Sequence, residues 1–299
     1  MTSFRKQFEK ENTKFLHQNL KKLNIKKNDV VYFGLDLKNY FLPFVKHFKK
    51  NPVLLDNKYL CEVFLKDLKK YFLPKGTIVF PAFTWKFIKN KKFHPNQSTP
   101  ELGIFEKYIF NKPGFLRSKH PVNSVVALGK RKKEIVSNHG SFSFGANSPF
   151  EKFPKLNLKF VNIGVYFYNS CTYTHHLEHI NGLNHRYYKF VEGLIKDKNK
   201  YIKKKFFFLV KYKYFDKELK RDERKFYELL KRKKFAKELK IKNIIFSSIN
   251  SKDVYREGLI YLKADPSNFM KNNIIVQFKE SNKKLKNKKK LKIKFNLKI

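Results

Sequence analysis

Cysteine is nearly absent from this chain: 299 residues contain two, Cys61 and Cys171. So few, and so far apart, exclude a disulfide framework and a cysteine-based zinc site, and they fit a reducing cytoplasm. Acidic residues are scarce as well, with 24 Asp and Glu against 68 Lys and Arg. Long uncharged apolar runs are missing. The longest, such as FFFLV at 206–210, have the length of a strand, so no membrane span is expected. The opening MTSFRKQFEKENTKF has no apolar segment of the secretory kind, and the chain reads as unexported and cytoplasmic. No internal repeat and no clean linker divides it.

What is abundant is aromatic and basic. Hydrophobic residues make up 41%, with 33 Phe and 16 Tyr, enough for the sizeable core of a globular domain despite a mean hydropathy of -0.58. The formal net charge of +44 attracts nucleic acid, anionic surfaces and phosphorylated ligands. The lysines, however, are spread through almost every segment and do not gather on one element, so no specific nucleic-acid partner is expected. An AT-rich coding sequence accounts for the same Lys, Asn, Ile, Phe and Tyr enrichment.

The order of segments reads as α/β. The spacing of Phe4, Phe8, Phe15 and Leu20 suits an amphipathic helix, and DVVYFGL after it has the continuous apolar content of a buried strand. A second helix is expected over KYLCEVFLKDLKKYF, closed by Pro74 and Gly76, and a second buried strand over GTIVFPAF. The polar stretch from Trp85 to Pro121 should open a helix at Leu102–Phe110 behind a Thr99 cap and Pro100. SVVALG and LKFVNIGV read as strands, with the loop HGSFSFGANSPF between them. After Gly193, strands are expected over KKKFFFLVKYKYF, a helix over DERKFYELLKRKKFAKEL and another over SKDVYREGLIYLKAD.

The hexapeptide THHLEH, 174–179, concentrates the chemistry. His175, Glu178 and His179 fit the H-x-x-E-H pattern of inverzincin peptidases, which would take a third zinc ligand such as Glu228 or Glu257. His175 and Glu178 alone fit a proton-handling pair, a histidine base whose second ring nitrogen is held by a carboxylate three positions on. The plain alternative is a surface ion pair on a helix. His179 reads as a helix-surface residue, His139 and His185 as structural histidines, and Cys171 as a core residue.

Read in order, these segments resemble the aminoglycoside N3-acetyltransferase (antibiotic N-acetyltransferase) family. PKGTIVFPAFTW is similar to its Gly-Thr-Leu-Val-Met-Pro strand. FHPNQSTPELGIFEKYIFNKPGFLRSKHPVNSVVALG resembles its longest signature, ending in Arg-Ser-x-His-Pro and Ser-Val-x-Ala-x-Gly. HGSFSFGANSPF, NIGVYFYNSCTYTHHLEH and NHRYYKF resemble its later blocks, the second carrying His-x-x-Glu. The resemblance runs over about residues 29–270 and is weakest from Lys196 to Lys240.

The resemblance implies a mixed central sheet with flanking helices, distinct from the GNAT fold, in a domain over 1–270 with a basic C-terminal tail at 271–299. It implies acetyl-CoA as acetyl donor, no metal, and transfer to a primary amine, with His175 the general base oriented by Glu178. Arg117, Ser118, His120, Asn147 and Ser148 are the residues it assigns to the coenzyme. Two departures matter. The family's His-Ser-Ser-Leu edge, which lies near the coenzyme in the family, is Gly34, Leu35, Asp36 and Leu37 here and bears on one set of coenzyme contacts, and His94 stands on the acceptor side where many members have an acidic residue. With +44 on the chain, a polycationic acceptor would be repelled, so an amino sugar or sugar nucleotide, neutral or anionic, is the expected partner, and a homo-oligomer is compatible. The competing reading is a family-derived, non-catalytic protein that binds a polyanion or partner through its basic surface.

Overall fold

The computed structural model describes residues 2–48, 51–183, 185–211 and 220–271, and the backbone of 274–278 and 293–297. Ten strands carry the architecture: β1 (Val30–Leu35), β2 (Thr77–Pro81), β3 (Lys92–Phe93), β4 (Leu116–Arg117), β5 (Val125–Gly129), β6 (Lys159–Ile163), β7 (Arg186–Asp197), β8 (Lys200–Lys211), β9 (Ala236–Ile241) and β10 (Ile244–Asn250). Seven of them form one sheet in the order β4-β5-β2-β1-β6-β10-β9. β2, β1 and β6 are parallel at its centre, while β5 and β10 run antiparallel on either side. β3, β7 and β8 form a smaller sheet. The central sheet is mixed and flanked by helices, as expected.

The apolar strands are covered on both faces, which is why β1 needs no polar alternation. Val31 and Phe33 join the core beneath the N-terminal helices, and Val30 and Tyr32 join the core on the opposite face. The helix Thr2–Lys22 presents Phe8, Leu16 and Leu20 to the first core, each fully buried. Burying a side chain of that size contributes roughly 1.5–3 kcal/mol. The helix Asn57–Phe72 starts on Asp56, whose carboxylate accepts from the Lys58 and Tyr59 amides. A third core, built on Phe87, Phe93, Phe206 and Phe208, fills the space under the β7–β8 ribbon.

Three sequence expectations shift. The helix expected at Leu102–Phe110 spans Ile104–Ile109 with Gly103 at its N-cap, because the Glu101 amide is taken by the Phe83 carbonyl and ties the preceding residues to the end of β2. The strand expected after Gly193 has a partner that begins earlier, at Arg186, and its end at 212–215 lies outside the described residues. The charged stretch expected as one helix is a helix at Arg224–Arg232 followed by β9. Lys234, at φ 61°, stops the helix there, and the Phe235 amide closes onto the Leu230 carbonyl. β10 has no counterpart among the sequence expectations. The helix expected near residue 251 is present as Ser251–Ala264, capped by Asn250. Most of the expected basic tail lies outside the described residues, although the backbone of 274–278 pairs antiparallel with 293–297.

Candidate active site

The order of strands reverses at β1, with its parallel neighbours β2 on one side and β6 on the other, and the chain leaving β6 leads into the THHLEH helix. Gly164 makes that exit at φ +74°, where an added Cβ would stand 2.3 Å from the Asp36 carbonyl oxygen. A short helix, Phe167–Ser170, is followed by Tyr173–Ile180. Tyr173 and Leu177 anchor this second helix in the core on the β6 side of the sheet. Gly258 lets the helix Ser251–Ala264 approach it, since a Cβ there would meet Leu177 at 2.3 Å.

With Leu177 turned inward, His175 and Glu178 fall one turn apart, and His175 Nδ1 lies 2.7 Å from Glu178 Oε2. Arg221 Nη1, which can only donate, also stands 3.2 Å from Nδ1, but the shorter contact to a carboxylate, which can only accept, puts the ring proton on Nδ1 and leaves the Nε2 lone pair free. The His175 side chain is 28% exposed, whereas Glu178 is completely enclosed. A buried carboxylate survives only when paired. Arg221 Nη1 reaches Glu178 Oε1 at 2.5 Å, Arg186 Nε stands 2.7 Å from Oε2, and His185 Nε2 lies 3.4 Å from Oε1. Burial pushes the Glu178 carboxyl up, but the two guanidiniums and the His175 and His185 hydrogen bonds outweigh it and hold the group well below the carboxylate range.

Glu223 completes the cluster, accepting from Arg221 Nε at 2.7 Å and meeting Thr174 Oγ1 at 3.3 Å. Two carboxylates and two guanidiniums cancel, so the cluster gives His175 little net field in favour of charging. Burial, then Arg221, push its imidazole down to about 4. His175 is therefore neutral at pH 7, with an acceptor nitrogen partly open and a carboxylate behind it that stabilises the imidazolium once a proton arrives. Such a pair can take a proton from an incoming nucleophile.

The other expected residues occupy a frame around this pair. Arg117 is buried and spends its whole guanidinium inside the protein. Nε donates to Ser124 Oγ at 2.8 Å, Nη1 to the carbonyls of Pro95 at 3.2 Å and Ser98 at 2.5 Å, and Nη2 to Thr84 Oγ1 and the Ala82 carbonyl. An arginine has five such donors, and none remains for a phosphate. Ser118 Oγ accepts from the Val125 amide and meets His139 Nδ1, both at 3.0 Å. His120 Nδ1 accepts from the Val122 and Asn123 amides, its ring stacks on His139 with centroids 4.9 Å apart, and burial drives it down to about 4. Ser148 is buried and caps the helix Pro149–Lys155 while donating to the Gly145 carbonyl at 2.7 Å. Asn147, in the left-handed region at φ 60°, is exposed.

The loop from His139 to Ser148 brings the frame to the pair. His139 touches Ser118 at one end, and at the other the Phe144 ring lies 5.7 Å from the His175 ring while the Gly145 amide donates to His176 Nδ1 at 3.1 Å. His179 is half-buried rather than a free surface residue. Its Nδ1 accepts from the Tyr188 hydroxyl at 2.5 Å, and its ring lies against Gly145. The reason is the β7 strand, which crosses beside the helix. Cys171 is likewise half-buried at the margin of the core rather than within it. Glu257 is paired with Lys233 and Arg256, Glu228 with Lys231, and among the described residues no three His, Cys, Asp or Glu side chains converge in a metal-binding arrangement. Gly34 packs under Asn162 and Ser170, where a Cβ would come within 2.5 Å of both, and Asp36 caps the helix Leu37–His47 through the Asn39 amide.

A family model described as Aminoglycoside 3-N-acetyltransferase matches residues 57–263, more than two thirds of the chain. The chain belongs to that family. Its members are acyltransferases that move an acetyl group to an amine, and this chain is an N-acetyltransferase of that class. Solved structures share the fold. Aminoglycoside acetyltransferase AAC(3)-IVa, as apoenzyme, is 20% identical over 86% of this chain and 90% of its own, with a TM-score of 0.64. AAC-VIa bound to sisomicin is 17% identical over 84% of this chain and 97% of its own, with a TM-score of 0.66. The AAC-IIIb binary complex with CoASH is 16% identical over 84% and 96%, with a TM-score of 0.64. No curated protein matches by sequence.

Arg221, Glu223 and the role of Arg186 are not evident from the sequence. Arg186 lies in the NHRYYKF block, whose likeness to the family's Arg-Tyr-x-Lys stretch is the available signal. Arg221 lies in LKRDERK, where nothing sets one basic residue apart from its neighbours.

Proposed function

We propose that this chain transfers the acetyl group of acetyl-CoA to the primary amine of a small molecule, with His175 as general base and Glu178 fixing its tautomer. The observation that carries this reading is the 2.7 Å contact between His175 Nδ1 and a Glu178 carboxylate that is fully enclosed and compensated by arginine. The amine nitrogen attacks the thioester carbonyl, the C–N bond forms and the C–S bond breaks. The proton released by the amine moves to His175 Nε2, and the thiolate that leaves accepts it in turn. A thiolate is a good leaving group, and nothing in this sequence of steps calls for a metal. AAC-IIIb in its complex with CoASH supports the coenzyme as donor.

Among the residues expected at the coenzyme, Asn147 is the one with an exposed side chain beside the site. Arg117, Ser118, His120 and Ser148 serve this reading as the buried frame that holds the His139–Ser148 loop. AAC-VIa bound to sisomicin and AAC(3)-IVa in complex with a gentamicin support an amine-bearing acceptor. A chain with a net charge of +44 and His94 in place of an acid favours a neutral or anionic amine over a polycation, an amino sugar or sugar nucleotide among them. Free Cys61 and Cys171 fit a cytoplasmic setting for this chemistry.

The experiment is thiol release from acetyl-CoA with a panel of amines, wild type against His175→Ala. A loss of about 10²–10⁴-fold is expected for removal of a placed base. Wild-type protein that releases no thiol with any amine, or a variant that keeps full turnover, sinks the reading.

A further inference from the structure

The ribbon of β7 and β8 has two unlike faces. The strands pair antiparallel along their whole length, so side chains alternate, and Val191, Ile195, Phe206 and Phe208 turn inward to the third core. On the opposite face Phe190 pairs with Phe207, Glu192 with Lys205 and Leu194 with Lys203. Phe142, from the loop that begins at His139, bridges to Phe207 and lays its ring on it, with centroids 4.6 Å apart and planes 11° from parallel. The Phe190 ring lies 6.1 Å from the same Phe207.

This face is open. Phe190 is 54% exposed, Leu194 41% and Phe142 40%, three of the large apolar side chains that the described surface leaves uncovered. It is also cationic, because residues 186–211 hold eight lysines against two acids. Lys205 Nζ stands 4.6 Å from the centre of the Phe190 ring, and Lys203 and Lys205 flank Glu192 at 3.6 and 3.7 Å. Exposed pairs of that length are worth little, so both ammoniums are available to a stronger anion. A coding bias accounts for the number of Lys and Phe. It does not account for rings gathered on one open face, nor for Phe142 arriving from a separate segment to stack on Phe207.

We propose that this face binds single-stranded nucleic acid without regard to sequence, its bases stacking on the Phe142 and Phe190 rings and its phosphates meeting Lys203 and Lys205. Every base has a π-face, so such stacking tolerates any sequence, and lysines beside the rings follow the backbone. A duplex offers the phosphates but keeps its base faces inside the stack. A bilayer suits the face less, since the ribbon ends in the polar turn Asp197-Lys198-Asn199-Lys200 and the rings lie behind it. A second copy of the chain would set +44 against +44. The proposal goes beyond acetyl transfer and uses no residue of the His175 cluster.

The test is fluorescence anisotropy with labelled dT20 and U20 and a 20-base-pair duplex, at one fixed ionic strength because phosphate binding depends steeply on salt. Phe190→Lys removes a ring and adds a positive charge at an exposed position. Ile260→Lys adds the same charge on the helix Ser251–Ala264, where Ile260 is 57% exposed. Wild type should bind both single strands with similar affinity and more tightly than the duplex. Phe190→Lys and Phe142→Ala should each weaken single-strand binding by about fivefold or more, the worth of one stacked base. Ile260→Lys should bind at least as well as wild type. Adhesion through net charge alone predicts the opposite for Phe190→Lys, and affinity equal to or above wild type in that variant would overturn the proposal. So would absence of single-strand binding, equal affinity for the duplex, a preference above tenfold for one of the two single strands, or binding to phosphatidylserine vesicles that Phe190→Lys abolishes. Because the readout is binding away from His175, failure of acetyl transfer leaves the proposal intact, and its own failure leaves acetyl transfer untouched.

Discussion

Arg221 places Nη1 2.5 Å from Glu178 Oε1, joining residues 43 positions apart across a carboxylate with no solvent contact. Removing one member of a buried pair leaves the other charged and uncompensated. Arg221→Met should therefore lower unfolding stability by about 3 kcal/mol in urea titrations, with Arg186 left as the remaining guanidinium. It should also make His175 more basic, since Arg221 is the second force, after burial, that holds the ring down. A variant as stable as wild type would show that Arg186 alone compensates Glu178.

The titration of His175 sets a second expectation. Its folded value, about 4, lies below the ordinary 6.5. The folded state thus favours the neutral ring, and stability from this group is present above pH 6.5 and is lost as pH falls through 4. For the free enzyme, kcat/KM with an aromatic amine that is uncharged above pH 5 should stay level from pH 8 down to about 5. An acid limb with an inflection near 6.5 would mean an exposed, unperturbed histidine. In Arg221→Met the inflection should move upward.

How much of this is legible in the sequence depends on how local each signal is. β1, β2, β5 and β6 are short apolar runs bounded by Asp, Gly and Pro, and each is read correctly because burial on both faces leaves no pattern to misjudge. The His175–Glu178 pair is legible because helical spacing alone brings i and i+3 together. β9 is hidden because Ala236–Ile241 continues the composition of the helix before it, and its strand state comes from pairing with β10. Arg221 is hidden for the same reason on a larger scale: its partner is fixed by tertiary approach, in a chain with 68 Lys and Arg. The coenzyme assignment of Arg117 rests on the resemblance of its Arg-Ser-x-His-Pro block to the family, and only the fold reveals that all of its donors are turned inward.

Gly145 tests the loop that joins frame and pair. It has φ +88°, and a Cβ there would overlap His179 Nε2 at 1.9 Å. Gly145→Ala should cost about 1–3 kcal/mol in thermal or chemical unfolding, from backbone strain at that dihedral. Because the Gly145 amide holds His176 and Phe144 covers His175, turnover should fall beyond what the loss of folded protein explains. Retained activity per folded molecule would show that the loop does not position the histidines.

Arg117→Lys separates a structural arginine from a coenzyme ligand. Lysine keeps the charge but cannot serve Ser124, Thr84 and the carbonyls of Ala82, Pro95 and Ser98 together. Stability should drop by several times the roughly 1 kcal/mol of a single hydrogen bond. The dissociation constant of coenzyme A, measured at a temperature where the variant is fully folded, should stay within about twofold of wild type. A coenzyme affinity that falls tenfold or more in a variant of normal stability would return Arg117 to the ligand.

Glu106→Gln should stabilise the protein at alkaline pH. The carboxyl is raised by burial to about 7 from 4.5. Between those values the folded state holds a proton that the unfolded chain has released, so stability falls as pH rises from 4.5 to 7 and the loss is complete above it. The shift corresponds to about 3 kcal/mol at pH 8, at 1.36 kcal/mol per unit. Glutamine keeps the shape and removes the ionisation. The variant should therefore gain up to about 3 kcal/mol over wild type at pH 8 and almost nothing at pH 4.5, where the folded carboxyl is protonated and burying it costs little. Urea unfolding at the two pH values measures the difference. Equal gains at both would assign the effect to packing around the side chain, and a loss at pH 8 would reveal a cation that already compensates the acid.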